Sequence, residues 1–365
     1  VELCNHHGDE TFGDWSRWVE QQLPGFEQLC GPKNAEPDAR FDAPQAWHTR
    51  LPEHLYSTAY VAERSVDYLR RHAASGSDQP FFLKCSFPDP HHPFTPPGKY
   101  WDLYSPDQVS VPETCVEPGP DAPPHVRWIH EERRQGKSLL TSQRMFAVSA
   151  AETRQMIALT YGMITMIDDA VGRILAALRE SGLADNTVIV FTSDHGDYMG
   201  DHGLMLKGPV HYQGLVRIPF IWSDPAAPHQ AATSEALSSS IDIARTVLSR
   251  AGIAPVNGMQ GRDLMSKARS APASDPESVL IEDDNQRAYL SFTEPVRART
   301  LVTATHRLTV YRGADWGELY DLKADPLERN NLWASDAALR GTMLELLVRK
   351  MMELSDRSPR PTRIA

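Results

Sequence analysis

The chain has 365 residues, 41% hydrophobic and 23% charged, enough for a large buried core in one large domain or two ordinary ones. A formal charge of -11 argues against a general nucleic-acid or anionic-membrane surface, because its long-range field repels polyanions; an anionic substrate must be held by a local positive site. Apolar runs are strand-sized, short of the ~20 residues that span a bilayer, so no transmembrane anchor is read.

The opening "VELCNHHGDE" has no initiator Met, basic segment or apolar leader, and reads as the interior of something longer. Compartment is therefore unknown, the cytoplasm ahead of the periplasm, since a signal peptide would lie upstream. Cys4, Cys30, Cys85 and Cys115 form no C-x-x-C pair and no zinc spacing with His, and read as free thiols. Residues Cys4 to Glu10 gather potential ligands but lack a second cluster, so they read as a loop that contributes to substrate selection.

"STAYVAERSVDYLRR", from Ser57, spaces Ala59, Ala62, Val66 and Leu69 as a helix, and "QPFFLKCSF" follows as a buried strand. The Pro-rich "PDPHHPFTPPGKYWDLYSPDQ" puts His91 and His92 on a loop just past it. A long helical pattern runs from Ala147 to Ser181 and stops at Gly182. Within it, Asp168 and Asp169 face different directions and read as a solvated or capping pair. The strand "NTVIVFTS" comes next, then the strand "RIPFIW" and the helix "SSSIDIARTVLSRAGI", with Ser239 or Ser240 as its cap. Such alternation predicts an α/β fold with a mostly parallel sheet covered on both faces. After about Pro255, short alternating segments predict a small antiparallel sheet closed by the helix "DAALRGTMLELLVRKMMELS". Residues 1–255 read as a large α/β body and 256–365 as a smaller α+β portion, with "SKARSAPASDPES" as a mobile link.

Ligands of open α/β sheets bind beyond the carboxyl ends of strands, and "SDHGDYMGDHGLMLKG" lies there. Asp194 and His195 both offer lone pairs to a divalent metal, and Gly196 lets the backbone turn sharply beside it. Lys207, thirteen residues after Asp194, suits the oxygens of a sulfate or phosphate group. The bland alternative is a turn with a capping Asp, and for Asp197, His202 and His211 a solvated or structural role.

At these residues the sequence resembles the sulfatase family of the alkaline-phosphatase-like superfamily, which also holds phosphonate monoester hydrolases and phosphodiesterases. The resemblance rests on "NTVIVFTSDHGDYMGDHGLMLKGPVHYQGLVRIPFIW", "SFPDPHHPFTPP", "SSSIDIARTVLSRAGI" and "ELYDLKADPLERNNL". It implies that Asp194 and His195 are metal ligands, that Lys207 contacts the sulfate and the leaving oxygen, and that His91 protonates the leaving group. An imidazole with a pKa near ~6.5 is suited to that last task. His92 and His211 are the candidates for substrate contact, and Arg217 for a framework salt bridge below the site. The segment "ELYDLKADPLERNNL" matches a structural signature without chemistry.

The family's nucleophile is a formylglycine made from C-x-P-x-R or S-x-P-x-R, and no cysteine here fits: "CGPKN" at Cys30 has Asn34 where Arg is required. The expectation is a fragment, inert by itself, exposing apolar surface where a central strand is lacking. The parent would hydrolyse small-molecule sulfate esters, or alternatively phosphonate monoesters or phosphodiesters; a third reading is a non-catalytic oxyanion- or metal-binding module. Oxygen donors favour calcium or magnesium, while the His195 nitrogen admits manganese or zinc. Substrate identity and oligomeric state are not readable.

Overall fold

A computed structural model describes residues 13–227, 233–256, 258–265, 277–288 and 291–355. The Cys4–Glu10 segment and all but the last two residues of the "SKARSAPASDPES" link lie outside these residues.

The helices are α1 (Asp14–Gln22), α2 (Ser57–Ala74), α3 (Pro124–Arg134), α4 (Ala150–Glu180), α5 (Gln213–Val216), α6 (Ile241–Arg250) and α7 (Ala337–Ser355). The strands are β1 (Phe146–Ala147), β2 (Ile189–Thr192), β3 (Leu204–Met205), β4 (Phe220–Ser223), β5 (Ser278–Ala288), β6 (Pro295–Thr303), β7 (His306–Tyr311) and β8 (Gly317–Asp321). α4 begins three residues later than the hydrophobic pattern predicts because Phe146 and Ala147 pair with Met205 and Leu204 as a short ladder. The start is fixed by a reciprocal cap: the Glu152 amide donates to Ser149 Oγ at 3.2 Å, and the Ser149 amide donates to Glu152 Oε2 at 2.8 Å. It ends as predicted at Gly182, whose φ of 69° a side chain would resist.

α4 is the spine of the α/β body. Met156, Leu159 and Met163 pack on one side against Phe41, Phe94, Trp101 and Met205, and Ala177 and Leu178 pack against Val66 and Leu69 of α2. Each Met, Leu, Val or Phe side chain of this seam contributes roughly 1.5–3 kcal/mol on full burial. Asp169 is not merely solvated: its Oδ2 accepts from the Tyr100 hydroxyl at 2.6 Å and from Lys99 at 3.3 Å. α6 is capped differently from the expectation. Neither Ser239 nor Ser240 supplies the cap; the Asp242 carboxylate accepts from the Ser239 amide at 2.9 Å.

Among the described residues the ladders are antiparallel, and the parallel contact is a single bridge from Ala46 to Phe94. β2 pairs with β4, and residues 81–87 alternate in exposure but form no ladder among the described residues. A central strand is buried only when flanked on both sides. Here Phe82 is 81% exposed and Ile221 59% exposed, so this edge lacks neighbours among the described residues.

The predicted small antiparallel sheet is present as a four-stranded meander, β5 to β8. Met343 and Leu347 of α7 pack onto Leu301, Leu308 and Leu319 of its strands. A buried ionic network joins this sheet to the body. The Arg307 guanidinium reaches Glu328 Oε1 at 2.5 Å and Glu318 Oε2 at 3.2 Å, while the Gln213 amide at the start of α5 donates to Glu328 Oε2 at 2.8 Å. Arg307 also lies over the Tyr320 ring, 4.7 Å from its centroid. The carboxylates of "ELYDLKADPLERNN" therefore have a structural task. No helix among the described residues is long and apolar enough to cross a membrane.

Candidate active site

β2 ends at Thr192, and the next residues carry the charge. The Asp194 side chain is 84% exposed, and its Oδ1 accepts from the His195 amide at 2.8 Å and from the Ser193 hydroxyl at 3.3 Å. Partial burial opposes ionisation, but the His195 amide and imidazole outweigh it and hold the carboxyl below its ordinary range. His195 Nδ1 lies 2.7 Å from the Gly196 carbonyl oxygen. A carbonyl can only accept, so Nδ1 carries the proton and Nε2 keeps its lone pair. That lone pair lies 3.6 Å from Asp194 Oδ2. Two lone-pair donors facing each other on an open edge, one locked by a backbone carbonyl, fit a divalent cation. They are two ligands only: no group of three or more His, Cys, Asp or Glu gathers around a common point among the described residues.

Gly196 is required for a reason other than a sharp turn. A Cβ there would come within 2.0 Å of the Gly214 carbonyl oxygen, and the Gly196 amide donates to the Leu215 carbonyl at 2.7 Å. Close approach of α5, not an unusual φ, excludes a side chain.

Lys207 is delivered by the loop after β3. Tyr198 is fully buried; its amide donates to the Leu206 carbonyl at 3.0 Å, and its hydroxyl lies 2.9 Å from the carbonyls of Gly208 and Val210. One tyrosine thus holds both sides of Lys207. Burial pushes the Lys207 ammonium down from its ordinary pKa, and Asp197 and Asp194 push it back up. Asp197, for which the sequence alone points to a solvated or structural role, joins this cluster. Burial raises its carboxyl to about 6 against the opposing Met199 amide, Lys207 and His195. Among the described residues, Lys207 makes no hydrogen bond and no ion pair within 4.0 Å. Asp194, His195, Asp197 and Lys207 form one electrostatically linked group.

His91 and His92 stack with centroids 3.9 Å apart, His92 buried and His91 partly exposed. His91 Nδ1 donates to the His92 carbonyl at 2.6 Å, which by the same logic leaves the lone pair of the neutral ring on Nε2. Their loop is held by Phe94, whose amide donates to the Gln45 carbonyl at 2.8 Å, and by Thr95, 3.0 Å from the Tyr56 hydroxyl. His211 lies elsewhere. It is buried, with Nδ1 2.8 Å from Thr300 Oγ1 and Nε2 3.5 Å from Asp283, and so faces the carboxy-terminal sheet. His202 stacks on Tyr212 at 3.7 Å and helps line a cavity of about 190 Å³ with Tyr320 and Glu328; His91, Asp194, His195 and Lys207 do not line it. Arg217 is exposed and makes no ion pair among the described residues, so the expected framework bridge is absent there.

The family model described as "Sulfatase" matches residues 4–253, and that described as "N-sulphoglucosamine sulphohydrolase, C-terminal" matches residues 200–356. The chain is 32% identical over 342 residues to the multifunctional alkaline phosphatase superfamily protein PehA of Trinickia caryophylli, covering 88% of this chain and 64% of that protein. It is 31% identical over 293 residues to an arylsulfatase of Clostridium perfringens, covering 78% of this chain and 55% of that protein. Among solved structures it resembles the phosphonate monoester hydrolase of Agrobacterium radiobacter with a TM-score of 0.72 at 23% identity, covering 95% of this chain and 69% of that one. The last likeness is one of fold. The chain spans between about half and two thirds of the length of these curated relatives. With a family model covering most of its length, the chain belongs to the sulfatase family, of alkaline-phosphatase-like fold.

Proposed function

We propose that the full protein is a metal-dependent sulfuric ester hydrolase acting on a small-molecule sulfate monoester, and that its formylglycine nucleophile comes from sequence outside this chain. Residues 1–255 would then be the carboxy-terminal part of the catalytic domain and 256–365 a smaller subdomain. The observation that carries the reading is Lys207: a partly buried ammonium without a hydrogen-bond partner among the described residues, beside Asp194, Asp197 and His195 at the end of β2. A partly buried ammonium that the nearby carboxylates offset only from beyond ion-pair distance is costly to retain unless a ligand neutralises it.

Asp194 and His195 Nε2 would hold the cation, which when bound stabilises negative charge on the transferring group. Calcium is the first candidate, with magnesium or manganese as alternatives. Lys207 binds a sulfate oxygen through its ammonium. As the S–O bond to the alcohol breaks, the electron pair stays on the alcohol oxygen, and His91, when protonated on both ring nitrogens, gives it the Nε2 proton while Nδ1 keeps its bond to the His92 carbonyl. His92 packs against the His91 ring and restricts its rotation. A second reading, hydrolysis of phosphonate or phosphate esters, is supported by similarity to a relative named as multifunctional.

The test is hydrolysis of p-nitrophenyl sulfate, p-nitrophenyl phosphate and a phenylphosphonate ester by the protein extended upstream through its reading frame. Sulfate turnover that collapses in Lys207→Ala and His91→Ala supports the first reading. Turnover of the phosphorus esters alone moves the function to the second, and turnover of none leaves an oxyanion-binding module.

A further inference from the structure

The loop carrying His91 contains a buried acid that the proposed chemistry does not use. Pro88 to His91 form a tight turn closed by the His91 amide, which donates to the Pro88 carbonyl at 3.2 Å. Asp89 is the second residue of that turn and is 5% exposed. Its Oδ2 accepts a short hydrogen bond from the Thr58 hydroxyl and a longer one, 3.5 Å, from the Ser57 hydroxyl, both in the first turn of α2. Its Oδ1 is buried and has no hydrogen-bond partner among the described residues. Burial raises the Asp89 pKa against the pull of the two hydroxyls. An unsatisfied buried oxygen costs roughly 1–3 kcal/mol, so an apolar residue would hold this loop more cheaply if cohesion were all that mattered.

The two other anchors of the loop, Phe94 to Gln45 and Thr95 to Tyr56, lie beyond the histidine pair. Asp89 is the anchor on the near side, separated from His91 by one proline. It ties the turn to α2, which packs on α4.

Resting on the sulfatase reading, we propose that Asp89 is the positioning residue for the leaving-group histidine: clasped by Thr58 and Ser57, it fixes the Pro88–His91 turn and so the place where His91 presents Nε2. Proton transfer is sensitive to such placement, since a displacement of about 1 Å can cost ~100-fold. The consequence is selective. A misplaced general acid harms esters whose alcohol leaves poorly and spares those whose alcohol leaves unaided.

The experiment compares phenyl sulfate with p-nitrophenyl sulfate in the upstream-extended protein and its Asp89→Asn and Thr58→Val variants. Both variants are expected to lower kcat for phenyl sulfate by ~100-fold and for p-nitrophenyl sulfate by only about 3-fold, with KM within about twofold. Equal losses on the two esters, or none, would overturn the proposal. A second readout needs no activity: proton–nitrogen NMR correlations of the histidine rings in the present chain. The His91 ring is expected to shift in both variants while those of His125 and His306 stay in place, and an unmoved His91 overturns the proposal. If the parent hydrolyses neither ester, the sulfatase reading falls, and the NMR comparison alone decides the role of Asp89.

Discussion

Two groups of charged side chains, one in the carboxy-terminal sheet and one at the end of β2, look similar in composition and differ in saturation. Around Arg307 all four carboxylate oxygens are engaged: Glu318 by Arg307, His125 and the hydroxyls of Tyr311 and Tyr320, and Glu328 by Arg307 and the Gln213 amide. Arg307 and Glu318 are 0% exposed. At the end of β2, Asp194 Oδ2 meets only the His195 ring at 3.6 Å, and Lys207 meets no hydrogen-bonding partner among the described residues. A network whose carboxylate oxygens are all engaged holds structure together; a cluster left open at a crevice is shaped for something that arrives.

The largest expected effect breaks the second group without touching the first. Lys207→Ala should lower ester turnover by the upstream-extended protein by ~100- to 1000-fold, the scale of losing one preorganised oxyanion donor. Its melting temperature should hold or rise, because a partly buried, unpaired charge has been removed. A turnover loss that tracks a lower melting temperature would place Lys207 with the structural network instead.

Breaking the saturated network should do the reverse. Arg307→Met leaves two buried carboxylates facing each other and should cost ~3–5 kcal/mol in denaturant unfolding. The pH dependence has a definite sign. Burial opposes ionisation of Glu318, but Arg307, His125 and Tyr311 outweigh it and hold its pKa below the ordinary 4.5. The stability it contributes is therefore present above about 4.5 and lost as pH falls toward the lower folded value. Glu318→Gln should flatten that acid limb of the melting-temperature profile. Glu328, raised by burial, acts in the opposite sense: its stabilisation is present at low pH and fades as pH rises through its folded value.

Smaller effects sharpen the boundary between the two regions. Gly196→Ala forces apart the β2 turn and α5, where a Cβ would lie 2.0 Å from a carbonyl oxygen, and should cost ~1–3 kcal/mol together with activity. The smallest effect belongs to Arg329, paired with Glu113 at 2.7 Å on an exposed surface, where Arg329→Ala should change stability by less than ~1 kcal/mol.

Much of the fold was legible in the sequence because local rules govern it. The α4 spine, its Gly182 stop and a small antiparallel carboxy-terminal sheet all follow from periodicity and turn residues. The Asp194–His195 pair and Lys207 stood out because polar residues crowd behind an apolar strand. What could not be read is pairing at a distance. Nothing local in "SSSIDIAR" says that Asp242, rather than a serine, makes the cap. No spacing rule joins His211 to Thr300 or Tyr198 to both sides of Lys207, and Asp89 carried only the faint signal of an acid two residues before a histidine in a Pro-rich turn.

The sequence by itself determined which segments are helix and strand, where charge collects, and the family to which that pattern points, because these depend on neighbours along the chain. Only the tertiary structure decided which of the collected charges are already spent on one another. Arg307 with Glu318 and Glu328 is closed, whereas Lys207 with Asp194 and His195 is open, since saturation depends on burial and on partners brought together by folding.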